Sequence, residues 1–267
     1  MASARRAIRL IVAAATALCP VLALAAEPEP EPCPGLVASR DALVQLAALA
    51  PDEVGLTFVG HATFLIESPG GVRAATDYND LVRPAVAPDI ATMNKAHSTH
   101  FTYRPDPRIK HVLRGWEGLG HAAHHDLTLG DMHVRNVATN IRDWGGGTED
   151  NGNSIFVFET AQLCIAHLGH LHHTLTPEHL KKLGRIDVLL VPVDGGYTLD
   201  TAGMMEVLAA INAPLMVPMH FFGRATLERF LAAARERYPV EFSDKPTITV
   251  SRATLPRAPK VVVLPGY

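Results

Sequence analysis

The chain has 267 residues, 48% of them apolar, with 24 basic and 27 acidic residues and a formal charge of −3. Three of the basic residues, Arg5, Arg6 and Arg9, lie in the first ten positions; without them 21 basic residues face 27 acidic ones, a net charge of about −6. That balance argues against nucleic acid or an anionic membrane surface as the main partner, and the apolar content suffices for one substantial core.

The basic start is followed by an almost wholly apolar run, Leu10 to Leu24, and by the small-x-small triplet Ala23-Leu24-Ala25. This pattern predicts a secretory signal peptide over residues 1–26. The run is short of the roughly 20 residues that a membrane span needs, and Pro20 interrupts it. A retained anchor is the alternative; a lipoprotein site at Cys19 is disfavoured by the bulky Leu18 before it. No later segment is long and apolar enough to span, so an exported, periplasmic product without a membrane span is expected. Cys33 and Cys164 remain after processing, either as one disulfide or as two thiols. Without a Cys-x-x-Cys motif, a thiolate zinc site is not expected.

Residues 27–35 alternate Glu and Pro and read as an extended leader before a domain over 36–267. Leu36–Leu49 has helical spacing. Val54–Glu67 reads as a strand pair broken at Gly60, and Val72–Thr76 as the strand returning from a Gly70-Gly71 turn. Ile90–Met93 is a short strand, Asp106–Leu113 another, and Gly115–Asp126 a loop rich in Gly and His. Met132–Val137 alternates like a strand. Asp143–Asn153, with Trp144 and the run Gly145-Gly146-Gly147, reads as a flexible loop that could form a lip over a pocket. Ser154–Glu159 and Leu163–Leu168 form a hairpin. Thr176 caps a helix begun by Pro177. Ile186–Val193 and Leu215–Met219 are apolar runs fit for buried strands, and helices fill Asp200–Ile211 and Thr226–Tyr238. Ile248–Val250 and Val261–Val263 close the fold. Hairpins first, then β-α-β-α-β, imply a mixed sheet with helices outside, or two sheets face to face.

Three remote segments place histidines directly after a strand-like run: His97 and His100, His167 and His170 (with His172 and His173 beyond), and His220. Neutral imidazole is the commonest side-chain ligand of zinc. A divalent ion lowers the pKa of a bound water to about 7, given three or four ligands and an open position. His61 is read as pocket lining or core, His167 as facing core or site, and His172 and His173 as flanking the site.

Several motifs carry a family resemblance: Val59-Gly60-His61-Ala62-Thr63-Phe64-Leu65-Ile66-Glu67, Thr76-Asp77, His97 with His100, Ile165-Ala166-His167-Leu168-Gly169, Leu175-Thr176-Pro177-Glu178, Val191-Pro192-Val193 with Gly195-Gly196, and Pro218-Met219-His220-Phe221. Over about Val54 to Gly223 the chain resembles the metallo-β-lactamase superfamily. It looks most like the branch of ascorbate-phosphate lactonase-type and N-acyl-phosphatidylethanolamine phospholipase-type hydrolases. The resemblance implies an α/β fold, an αββα sandwich of two mixed β-sheets flanked by helices. It also implies a metal-dependent hydrolase acting on a small-molecule ester, lactone or phosphodiester.

The departures from the family pattern fall on the ligands. The family's His-x-His-x-Asp-His is Lys95-Ala96-His97-Ser98-Thr99-His100 here, its mid-chain histidine falls near Asn140 or Ile141, and its Gly-Asp is Gly169-His170. Lys95 adds a positive charge where a second cation would sit, with no carboxylate to offset it. Unit charges ~4 Å apart repel by about 4 kcal/mol at an effective dielectric of 20, and a divalent ion feels twice that. The expectation is therefore one divalent ion, zinc or another, on His100, His170 and His220, with His97 as fourth ligand or just behind. Lys95 would stabilise a developing anion. Asp77 would either orient a ligand histidine or cap a turn. The alternative is a non-catalytic periplasmic protein that binds a metal or an anion on the same fold. Substrate and oligomeric state are not encoded in any motif found.

Overall fold

The structure, a computed structural model, describes residues 49–266 apart from Trp144. The signal peptide over 1–26, the leader over 27–35, Cys33, the Leu36–Leu49 helix up to its last residue, and the Trp144 lip lie outside the described residues.

The first sheet begins with an antiparallel meander of β1 (Glu53–Gly60), β2 (Thr63–Glu67) and β3 (Arg73–Ala75). It continues in parallel through β4 (Ile90–Met93) and β5 (His111–Arg114). A second antiparallel run holds β6 (Asp126–Leu129), β7 (Met132–Arg142), β8 (Thr148–Thr160) and β9 (Leu163–His167). The chain then alternates: α1 (Pro177–Leu183), β10 (Val188–Pro192), α2 (Thr201–Ile211), β11 (Leu215–Met219), α3 (Arg224–Ala234). It ends with β12 (Val240–Phe242), β13 (Thr247–Ser251) and β14 (Lys260–Val263). The six-stranded sheet runs β13-β1-β2-β3-β4-β5 and the eight-stranded sheet β12-β14-β11-β10-β9-β8-β7-β6.

The strand alternation explains the two layers. On β8, Phe156 and Phe158 point into the cluster between the sheets, while Ile155 and Val157 point to the cluster beneath the helices. On β10, Val188 and Leu190 face one way and Leu189 and Val191 the other. Strands buried on both faces carry near-continuous apolar runs, which is why Val188–Pro192 and Leu215–Met219 could be read as central. Leu183 of α1, Leu208 of α2 and Phe230 of α3 all join the cluster on the outer face of the larger sheet. The two mixed sheets with flanking helices are as expected.

Thr176 caps α1 by accepting from His179 N–H, Pro177 opens it, and Asp200 caps α2 through Gly203 N–H. Two local expectations fail. Asp143–Asn153 is a loop only to Gly147; from Thr148 the chain is β8, paired with the end of β7 beyond an irregularity between Thr139 and Ile141. Polar residues such as Glu149, Asn151 and Asn153 hide this strand from a hydrophobicity reading. β12 and β6 are short edge strands with too few residues to show a period.

Candidate metal centre

The parallel strands β4, β9, β10 and β11 bring their C-terminal ends together, where ligands bind in open α/β sheets. His97 and His100 follow β4, His170 follows β9, Asp194 follows β10, and His220 follows β11. One ring nitrogen from each of His97, His100, His170 and His220 lies within 4.8 Å of the others. His97 Nε2 is 2.9 Å from His170 Nε2, and His100 Nε2 is 3.1 Å from His220 Nε2. His100, His170 and His220 are buried, and His97 is partly open.

The backbone is held in unusual conformations to achieve this. His220 (φ 55°), His61 (φ 50°) and Asp77 (φ 41°) all sit in the left-handed region, which disfavours side chains and is tolerated where packing over-determines it. His220 N–H donates to the His61 carbonyl at 2.7 Å, which fixes the first two against each other. Gly169 (φ 62°) is required twice over: a Cβ there would fall 2.4 Å from Asn153 Oδ1 and 2.5 Å from Asn94 Nδ2. Those two amides are themselves site struts. Asn153 Oδ1 accepts from His170 N–H, and Asn94 Nδ2 donates to Asp77 Oδ1.

Each imidazole is oriented from behind. His100 Nδ1 donates to Asp77 Oδ2, and Asp77 is fully buried. His220 Nδ1 lies 3.2 Å from Asp194 Oδ2, off the hydrogen-bond axis, and is a buried nitrogen without a hydrogen bond among the described residues. His97 Nδ1 is 2.7 Å from Thr99 Oγ1, which also reaches His61 Nε2 at 3.0 Å. His170 Nδ1 is 2.6 Å from His172 Nε2, and His172 Nδ1 accepts from Arg142 N–H. Carboxylates that hold the Nδ1 proton of a histidine leave the Nε2 lone pair free and raise its basicity. His100, backed by Asp77, turns its Nε2 lone pair on His220 Nε2 at 3.1 Å, a hydrogen-bond distance at which a cation between the two rings would take the place of the shared proton. A tetrahedral zinc site with bonds of ~2.05 Å has nitrogens about 3.3 Å apart, close to the 2.9 Å and 3.1 Å of the His97–His170 and His100–His220 pairs. His170 differs: His172 must donate to its Nδ1, which leaves its own proton on Nε2, and a cation bound there displaces it.

Charge follows the same plan. Burial, then neighbouring histidines, holds His97, His100 and His170 below the usual imidazole range and lowers His61 to about 3, while burial and then the Arg142 charge lower His172 to about 4. These five rings are thus driven toward the neutral form that a ligand must have. Burial pushes the Asp77 carboxyl up to about 6 against the pull of His167 and Asn94. Burial also works against Asp194, but the His220 imidazole and the N–H groups of Gly196 and Thr198 outweigh it and hold that carboxyl well below the usual range.

Lys95 does not stand unopposed. Its Nζ pairs with Glu149 at the rim of a cleft of about 420 Å³ that also contains His97 and His170. Glu149 lies in the strand misread as loop, so sequence could not supply this partner. Asp77 sits behind His100 rather than in the cleft, which makes it a positioning group. His167 is structural: Nε2 donates to the Ala62 carbonyl and Nδ1 accepts from Gly169 N–H. Asp194 and Arg142 are site residues that sequence reading missed. Asp194 stood beside the quoted Gly195-Gly196, but nothing in one sequence told it from a turn residue.

Residues 55–220 match the beta-lactamase superfamily domain. The chain belongs to the metallo-β-lactamase superfamily. Within the superfamily it is similar to a UPF0173 metal-dependent hydrolase of Methanosphaerula palustris, 25% identical over 203 residues that make up 68% of this chain and 89% of the relative. A crystal structure from Thermotoga maritima, assigned as a Zn-dependent hydrolase of the metallo-β-lactamase superfamily, is 28% identical with a TM-score of 0.60, covering 80% of this chain and all of that one. Igni18 of Ignicoccus hospitalis, 18% identical with a TM-score of 0.52 over 74% of this chain and 99% of its own, shares the superfamily architecture.

Proposed function

We propose that this chain is a metal-dependent hydrolase that works with a single zinc ion held by His97, His100, His170 and His220. The observation that carries this reading is the convergence of those four imidazoles, two of them with their Nε2 atoms 3.1 Å apart. One ion rather than two is supported by the placement of the carboxylates. Asp77 and Asp194 stand behind His100 and His220, Glu149 is taken by Lys95 and Asp143 by the Gly145 and Gly147 N–H groups, so the carboxylates named around the centre among the described residues are engaged elsewhere than in bridging a second cation.

A bound ion supplies Lewis-acid polarisation and an acidified water at neutral pH. The chain's own residues do the rest. Asp77, Asp194, Thr99 and His172 fix the four rings, and the buried positions of His100 and His220 keep bulk water from one side. Lys95 stands at the cleft rim, where its ammonium meets negative charge that develops on a substrate oxygen, with Glu149 holding it in the resting arrangement. The substrate class is a small ester, lactone or phosphodiester, in keeping with the lactonase-type and phospholipase-type branch. The product is exported, on the strength of the predicted signal peptide over 1–26, and the catalytic domain comprises residues 36–267.

Elemental analysis of untagged protein tests the core of this reading: about one zinc per chain is expected, with hydrolysis lost in His220→Ala. Full hydrolysis in metal-stripped protein would refute it. Thr99 in place of the family's aspartate favours the second reading, a metal- or anion-binding protein without turnover. That reading predicts a raised Tm with zinc and no hydrolysis across ester, lactone and phosphodiester panels.

A further inference from the structure

One charged group beside the centre is fixed in place without a counter-charge. Arg142 ends β7, and its Nη2 donates to the carbonyls of Gly196, Tyr197 and Thr198 at 3.0, 2.8 and 2.9 Å. Its Nε and Nη1 make no hydrogen bond, and no carboxylate pairs with it, among the described residues. The carboxylates nearest in sequence and space are spent elsewhere. Asp143 accepts from Gly145 and Gly147 N–H, and Asp194 accepts from Gly196, Tyr197 and Thr198 N–H. Lys95, the other cation of the cleft, is satisfied by Glu149.

An arginine without a carboxylate partner is ordinary on a surface. One pinned by three carbonyls, in the wall of a cleft of about 420 Å³ that also holds His97, His170 and His172, is a preorganised anion receptor. The cleft is large enough for a small molecule. Its rim adds Tyr197, 66% exposed, whose ring packs 5.5 Å from that of Phe222, itself 5.3 Å from His220. That aromatic pair offers an apolar wall next to the charged one.

We propose that Arg142 is the specificity-determining residue of this site, and that it receives a second anionic group, a carboxylate or a phosphate, on a substrate whose ester bond is cut at the histidine centre. The inference rests on the hydrolase reading above. In the reaction one water is added across the ester C–O bond. Its oxygen goes to the acyl carbon, the alcohol leaves carrying one proton, and the new acid gives its proton to solvent. The remote anion is unchanged throughout, so Arg142 contributes through binding and orientation.

The test uses the full zinc-loaded chain and two esters that differ only in charge, mono-4-nitrophenyl succinate and its neutral methyl ester. The wild type is expected to prefer the anionic ester in kcat/KM by about tenfold or more, the range of a charge-assisted hydrogen bond. Arg142→Met is expected to erase that preference through KM, the anionic ester losing about tenfold more in kcat/KM than the neutral one, with Arg142→Lys recovering part of it. Equal losses on both esters would make Arg142 a loop strut and overturn the proposal, as would a wild type without preference. If Arg142→Met loses its folded circular dichroism spectrum, the wild-type preference decides, since it should shrink as salt rises from ~20 to ~300 mM and a salt-independent ratio counts against it. Succinate and inorganic phosphate as competitive inhibitors separate the two anion classes. If neither ester is turned over, the carboxylic-ester form of the hydrolase reading fails on its own. The anion site is then judged by thermal shift: Tm raised by succinate or phosphate in the wild type but not in Arg142→Met supports it, and no Arg142-dependent rise overturns it.

Discussion

Two sets of histidines in this molecule occupy opposite electrostatic settings. At the strand ends, His97, His100 and His170 are crowded by other imidazoles and stripped of solvent, and all three are driven toward the neutral form. On the outer β6–β8 edge, His133 lies between Asp126 Oδ1 at 2.7 Å and Glu159 Oε2 at 3.0 Å. The bond to Glu159, then that to Asp126, raises its pKa and favours the imidazolium. The same side chain is a candidate ligand in one place and a cross-strand cation in the other. Burial and neighbours decide which, and the count of 14 histidines does not.

Removing a central ring gives the largest expected effect. His100→Ala or His220→Ala should weaken zinc binding by at least about 100-fold in a chelator competition titration, because each removes a buried ring nitrogen at the centre of the set with a carboxylate beside its other nitrogen. His170→Ala should cost less, since binding there first displaces a proton held by the His172 relay. An equal loss for all four histidines would break this ranking. Asp77→Asn comes next: it keeps the volume behind His100 but removes the charge, and is expected to lower zinc affinity about 10- to 100-fold. His133→Gln serves as the outer control and should leave zinc affinity unchanged.

The fold was legible because buried strands and capped helices leave local marks. Thr176-Pro177 and Asp200 announce helix starts, and Val188–Pro192 and Leu215–Met219 announce central strands. The histidines were legible because three separate strand ends each finished in one. What lay behind them was not. Thr148 to Asn153 looks like loop by composition, yet it pairs with β7 and carries Glu149 to Lys95. Asp194 spends its oxygens on three backbone N–H groups and a histidine 26 residues away in sequence, a partnership that exists only once β10 and β11 lie side by side. Such contacts depend on register between remote segments, and one sequence records no register.

Acid should separate the two histidine sets in metal-free protein. His61, His97, His100, His167, His170 and His172 all have folded pKa values below the ordinary 6.5. The unfolded chain therefore binds more protons than the folded one below about pH 6.5, and stability falls as pH is lowered through that value. Asp77, raised to about 6, works the other way, but only between its unfolded value of 3.8 and about 6, and as one group against six. A loss of several degrees in Tm, about 5–10 °C, is expected between pH 7 and 5.5. Zinc should restore part of it at pH 7 and less at pH 5.5, where protons compete for the ligands. A Tm independent of pH in the metal-free protein would mean that the central rings are not held neutral.

The outer histidine should respond with the opposite sign and a much smaller size. His133 has a folded pKa above 6.5, so its contribution is fully present below the unfolded value and is lost as pH rises through the folded one. His133→Gln is therefore expected to lower Tm at pH 5.5 by about 1–2 °C and to leave it unchanged at pH 8.5, because a partly exposed ion pair is screened by solvent. Differential scanning fluorimetry at the two pH values reads both signs in one experiment. In His133→Gln the loss of stability on acidification becomes steeper, since a group that opposes the central histidines has been removed. If the variant instead proved less sensitive to acid than the wild type, the edge histidine would belong with the buried set, and the division drawn from its two carboxylate neighbours would be wrong.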